Sequence, residues 1–268
     1  MKVAAVQMVS TPDVERNLVA ARQLLQQAAD AGAELAVLPE YFCLLGRKDT
    51  DKLAIAEQPA SGPLQDFLSQ CAADFKLWVV GGTIPIHAGE TGKVYNSTLV
   101  YNPAGQCVAR YDKMHLFRFD NGTESYDESR VQVPGKEPVT FDLPSIDGHT
   151  WRVGLSVCYD LRFPELYRAL NADLLLVPSA FTHTTGQAHW EVLLRARATE
   201  NLAYVLAAAQ GGLHDNKRRT WGQSMVVDAW GRVMAELAEG AGVVLADIDK
   251  ASLNAWRTQL PALSHRVI

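Results

Sequence analysis

Four apolar segments occur twice, in the same order, in the two halves of this 268-residue chain. KVAAVQM (2–8) is echoed by RVGLSVC (152–158), and ELAVLPEYF (34–42) by DLLLVPSAF (173–181). KLWVVGG (76–82) followed by STLVYNPAG (97–105) is matched by LAYVLAAAQGG (202–212) followed by SMVVDAWG (224–231). Each is a short apolar run bounded by turn residues, which reads as a strand. A strand that is apolar at consecutive positions is buried on both faces, so two sheets of such strands must pack on each other and carry helices outside. The expected class is α/β, a four-layer α-β-β-α sandwich of two mixed β-sheets, in a single domain over 1–268.

Between the strands lie helical patterns. Val14, Leu18, Ala21, Leu25 and Ala28 recur at three- and four-residue spacing, which predicts an amphipathic helix over 13–31. A second begins near Ser61 with Pro63 in its first turn, a third opens at Pro164, and HWEVLLRARATEN (189–201) forms a fourth. A formal charge of −5 provides no general attraction for nucleic acid or anionic membrane, so neither is expected as a partner. The longest apolar run, 202–209, falls far short of the roughly 18 residues of a membrane span, and no charged leader opens the chain, so a cytoplasmic protein is expected. The four cysteines lack CxxC or Cys/His spacing, so free thiols and no metal site are expected.

Ligand sites in open α/β sheets lie beyond the carboxyl ends of strands. Cys158, at the end of the apolar run 153–157 in VCYDLRFPEL, stands at such an end, and the helix opening at Pro164 directs positive dipole toward it. That arrangement favours a thiolate and a developing oxyanion. Glu40, in LPEYF, ends another apolar strand, where a carboxylate needs a partner to be buried, which makes it the candidate general base. Lys113, in YDKMHLF after the strand-like QCVARY, is a cation suited to a developing alkoxide. Amide hydrolysis requires a nucleophile, a proton shuttle and an oxyanion donor, and this chain offers one of each. Cys43, Cys71 and Cys107 sit in plain contexts and read as inert. His115 reads as a structural hydrogen-bonding group, which ranks a Cys/His hydrolase second.

In this order LPEYF, YDKMHLF and VCYDLRFPEL resemble the three signature segments of the nitrilase superfamily of carbon-nitrogen hydrolases. The resemblance covers nearly the whole chain and implies the same four-layer fold. It carries the family's triad onto Glu40, Lys113 and Cys158 and its supporting glutamate onto Glu128 in YDES, with Asp127 and Glu124 close by. PSAFT, GQAHWEVLLRARATEN, AAAQGG and WGQSMVVDAWG resemble the branch that hydrolyses deaminated glutathione, close to ω-amidases. A small-molecule amide substrate, no cofactor and a homodimer follow as expectations, with an ω-amide of an α-keto acid or a ureido compound as the alternative substrate. A catalytically silent interaction protein of the same fold is the third reading. The Tyr159 N–H would join Lys113 at the oxyanion. Arg162 could meet a substrate carboxylate or pair with Asp160 or Glu165, Phe181 at the end of the echoed strand and Thr185 in its loop are candidate pocket walls, and the run Lys217, Arg218, Arg219 could steer anions but reads as a solvated loop.

Overall fold

The computed structural model describes residues 1–267. The first half runs β1 (Lys2–Gln7), α1 (Val14–Asp30), β2 (Leu35–Val37), α2 (Pro63–Phe75), β3 (Trp78–Val80), β4 (Ile84–His87), β5 (Val94–Tyr101) and β6 (Cys107–Asp112). A hairpin of β7 (Arg118–Asp120) and β8 (Ser125–Asp127) follows. The second half runs β9 (Thr140–Pro144), β10 (Thr150–Leu155), α3 (Pro164–Leu170), β11 (Leu174–Leu176), α4 (His183–Asn201) and β12 (Tyr204–Ala207). The chain continues through β13 (Gly211–Leu213), β14 (Arg219–Trp221), β15 (Ser224–Val227), β16 (Val233–Leu237), β17 (Gly242–Asp247) and α5 (Lys250–Gln259).

The echo in the sequence is an echo in space. One sheet has the order β17-β1-β2-β3-β5-β4, with β6 on β5, and the other β16-β15-β12-β11-β10-β9. In each, three strands run parallel (β1, β2, β3; β10, β11, β12) and the fourth of the echoed set, β5 or β15, lies antiparallel beside them. Side chains alternate along β1: Val3 and Ala5 join the core shared with the second sheet, whereas Ala4 and Val6 pack with Ala21, Leu25 and Ala28 of α1. The second sheet's Val153, Leu155 and Leu175 share their core with Tyr167 of α3 and with Trp190 and Leu194 of α4. The layers are therefore helix, sheet, sheet, helix, as the continuous apolar runs require.

Local signals account for most boundaries. Asp13 caps α1 by accepting from the Arg16 N–H, and Pro63 occupies the first turn of α2. Helix α4 starts at His183, six residues before the expected 189, because Thr182 caps a first turn of Thr and Gly residues that helical propensity alone disfavours. Strand β2 leaves its sheet early, since Pro39 has no N–H and Tyr41 turns at φ 57°, which places Glu40 in a reversal just past the strand. Gly82 backs that reversal at φ +48°, and a Cβ there would lie 2.0 Å from the Pro39 carbonyl oxygen. Gly82→Ala should destabilise the fold by about 3 kcal/mol and lower the urea midpoint at unchanged slope; an unaltered midpoint would show that the reversal can yield.

Candidate active site

Three chain reversals at strand carboxyl ends build the site: Glu40 after β2, Lys113 after β6 and Cys158 after β10. Glu40 is 1% exposed, so its oxygens need partners. Oε1 accepts from Asn96 Nδ2 of β5 at 2.8 Å and from Lys113 Nζ at 3.0 Å, and Oε2 accepts from the Ala180 N–H at 2.9 Å. Lys113, fully enclosed, donates also to both Glu128 oxygens, at 2.9 and 2.8 Å. Glu128 is fixed in turn by the Tyr41 hydroxyl at 3.0 Å and the Phe117 N–H at 2.7 Å. Burial pulls the Lys113 ammonium toward neutrality, but Glu128 and Glu40 together outweigh it and hold the pKa well above its ordinary value. Burial likewise opposes ionisation of Glu128, yet Lys113 and then Lys52 keep its carboxyl below the usual range.

Cys158 sits at φ 51°, a strained conformation for a residue with a Cβ, at the head of a 3₁₀ turn spanning Cys158–Arg162. The Glu40 carboxylate bears on the thiol through both charge and hydrogen bonding. Burial, then Glu40, push the thiol well above its ordinary pKa, with Lys113 pulling the other way. Burial beside carboxylates therefore opposes the thiolate that the helix opening at Pro164 favours, and that helix, α3, begins six residues downstream and is only seven residues long.

Asp160, fully buried, joins the cysteine turn to the lysine loop. Its Oδ2 accepts from the Val157 N–H at 2.8 Å and the Tyr111 hydroxyl at 2.7 Å, while Oδ1 meets the His115 N–H at 3.0 Å and Nδ1 at 2.6 Å. His115 is thus engaged with Asp160 and stacks on Phe163 with ring centroids 3.7 Å apart. Arg162 pairs with neither Asp160 nor Glu165; it hydrogen-bonds His189 Nδ1 at 3.1 Å and lies beside the rings of Tyr159 and Phe181.

Glu40, Glu128 and Cys158 face one narrow cleft, walled by Tyr41, Phe117, Tyr159, Ala180, Phe181, Thr182, Thr185 and Arg218. Tyr159, Phe181 and Thr185 are among these walls, with Thr185 in the first turn of α4 and not in a loop. Arg162 is outside the walls. Glu124 bonds to Thr184 and Asp127 to Ser129, so among the three acids of that segment Glu128 is the one that reaches Lys113. Tyr41, Asn96, Phe117, Asp160 and Arg218 were not singled out by sequence reasoning for these positions. A larger open groove of about 1020 Å³ lies along α4, but its walls hold no nucleophile beside a base. Among the described residues, no group of three or more His, Cys, Asp or Glu is placed to hold a metal ion.

Residues 2–258 match the carbon-nitrogen hydrolase family. The chain is 43% identical to the deaminated glutathione amidase of Synechocystis sp., over 98% of this chain and 97% of that one. Its identity to the human deaminated glutathione amidase is 41%, over 98% and 81% of the two chains. Among solved structures it resembles Saccharomyces cerevisiae Nit3, a member of branch 10 of the nitrilase superfamily, with TM-score 0.88 and 31% identity, covering 100% of this chain and 97% of that one. It also resembles a mutant of the Nesterenkonia sp. AN1 amidase that carries the acetamide moiety of fluoroacetamide covalently on its active-site cysteine, with TM-score 0.82 and 26% identity, covering 100% and 94%.

Two outcomes check this geometry. Because the Cys158 thiol titrates above its ordinary range, its alkylation by iodoacetamide should keep accelerating as pH rises past about 9; a plateau reached near neutrality would mean a resting thiolate. Asp160→Asn, which turns a donor toward N–H and O–H groups, should lower stability by about 2 kcal/mol in denaturant unfolding, and an unchanged midpoint would deny Asp160 its role as a joint.

Proposed function

The chain belongs to the carbon-nitrogen hydrolase family, and we propose that it hydrolyses deaminated glutathione to 2-oxoglutarate and cysteinylglycine through a thioester on Cys158. The class, a hydrolase of C–N amide bonds, comes with the family; the substrate rests on the relatives' names and the residue roles on the site. One observation carries the roles: Glu40 and Cys158 line one cleft and Lys113, enclosed behind it, donates to Glu40, although the sequence separates the three widely.

In the proposed cycle Glu40 removes the thiol proton as the Cys158 sulfur attacks the amide carbonyl carbon. The carbonyl oxygen becomes an oxyanion received by Lys113 Nζ and the Tyr159 N–H, near the head of the 3₁₀ turn. Collapse breaks the C–N bond, and Glu40 gives its proton to the departing amine. Glu40 then takes a proton from water, whose oxygen attacks the thioester, and returns it to the sulfur as the acid leaves. A thiol with a raised pKa suits this sequence, because proton transfer and attack are then concerted at an adjacent base. Glu128 acts as the positioning residue for Lys113, with its two oxygens on one ammonium. No step calls for a metal or an organic cofactor. Phe181 and Thr185, which wall the cleft, complete the proposed substrate contacts, and Arg162, outside the walls, is left out of them.

The same proposal takes 1–268 as one domain, supported by the core that both sheets share, and places it in the cytoplasm. Among the described residues no helix is long and apolar enough to cross a membrane. It also includes a homodimer, for which the α4 groove offers exposed Val192 and Trp230 beside Arg195. Light scattering at micromolar concentration should return twice the chain mass, and a monomer would remove that part.

Cys158→Ala and Glu40→Gln should each retain the fold and lower kcat at least about 10³-fold. Turnover retained in Cys158→Ala would remove the nucleophile. Across deaminated glutathione, an ω-amide of an α-keto acid and a ureido acid, kcat/KM should be highest for the first; a higher value for either other compound would reassign the substrate while leaving the chemistry in place.

A further inference from the structure

Three consecutive cations follow the second half's last parallel strand, and they have different fates. Lys217 and Arg219 are exposed, and Arg219 pairs with Glu239 at 3.5 Å. Arg218 between them is half-buried and is the one whose side chain walls the cleft that holds Glu40 and Cys158. Among the described residues it has no carboxylate partner. Its guanidinium lies 5.2 Å from the centre of the Tyr126 ring, which orients a cation without neutralising it.

The loop presenting Arg218 is braced at every side. His214 is buried between the Ser10 carbonyl at 2.8 Å and Thr220 Oγ1 at 2.7 Å, and its N–H donates to the Arg218 carbonyl at 2.9 Å. Asn216 Nδ2 donates to the carbonyls of Leu45 and Gly46, its Oδ1 accepts the Arg218 N–H at 3.0 Å, and Thr220 bridges to Thr182 of the cleft wall. A long flexible cation anchored in this way at a cleft lined by two glutamates is preorganised for an anion coming from outside.

We propose that Arg218 is a specificity-determining residue that receives the carboxylate a substrate carries away from its scissile amide. Lys217 and Arg219 keep the solvated-loop reading and Arg218 alone departs from it, and the assignment rests on the amidase function proposed above. Arg218 supplies the charge selection, while the chemistry stays with Glu40, Lys113 and Cys158.

The test compares kcat/KM of the full chain and its variants on two matched pairs. Glutaramate against pentanamide reports a carboxylate on the acyl side, and N-pentanoylglycine against N-methylpentanamide reports one on the amine side. In Arg218→Gln the preference for the charged member of one pair should fall about 10- to 100-fold, and the KM for deaminated glutathione should rise at least about tenfold with a smaller change in kcat. Arg218→Lys should recover part of the preference, and Arg219→Gln should leave it as it was. Equal losses on charged and neutral members, or ratios and KM unaltered in Arg218→Gln, would overturn the assignment with the amidase intact. Wild-type protein silent on all four amides and on deaminated glutathione would remove the amidase reading itself, and Arg218 with it.

Discussion

One buried ammonium organises the catalytic end of this molecule. Lys113 is buried, so its protons must find acceptors within the protein, and they find Glu40 from the reversal after β2 and Glu128 from the 3₁₀ turn after the β7–β8 hairpin. Each of the three would be costly to bury alone; together they are mutually required, which holds three separate chain reversals in register. The arrangement leaves Glu40 touching Lys113 on one oxygen and the Ala180 amide on the other, with the Cys158 thiol beside it. Position and electrostatics arise from the same contacts, so side chains that stabilise the reversals also set the protonation of the groups they carry.

The internal duplication explains why the two halves meet at this point. In the echo, LPEYF aligns with VPSAF, so Glu40 corresponds to Ser179, and KVAAVQM aligns with RVGLSVC, so Met8 corresponds to Cys158. The two halves touch here: Met8 bridges to Gln210, and the Ala180 amide, one residue past the counterpart of Glu40, caps Glu40 itself. Equivalent strand ends have diverged into a base on one side and a nucleophile on the other. The first-half nucleophile position carries an apolar thioether and the second-half base position a serine, so one of the two symmetry-related sites has chemistry.

The two-sheet layering, the helices and the placement of Glu40, Lys113 and Cys158 just past strands were legible because apolar runs and their punctuation are local signals. What escaped notice depends on partners far along the chain. Asp160 reads in YDLR as an acid available to Arg162, and only the fold reveals that Tyr111, His115 and Val157 surround it. Arg218 looks like its two neighbours until the His214 and Asn216 hydrogen bonds turn it inward. The electrostatics of Cys158 divide in the same way: a helix opening is visible in sequence, whereas the desolvation and the carboxylate that oppose its effect belong to tertiary structure.

The bridge made by Asp160 between the turn of Cys158 and the loop of Lys113 spans the boundary between the two repeated halves. Neither half possesses a working centre, because each lacks the anchor the other provides. A chain severed in the exposed stretch around Asn121 to Thr123, ahead of the second sheet, would be two dark fragments whose activity returns only on reassembly, which makes this architecture a ready-made reporter of its own closure.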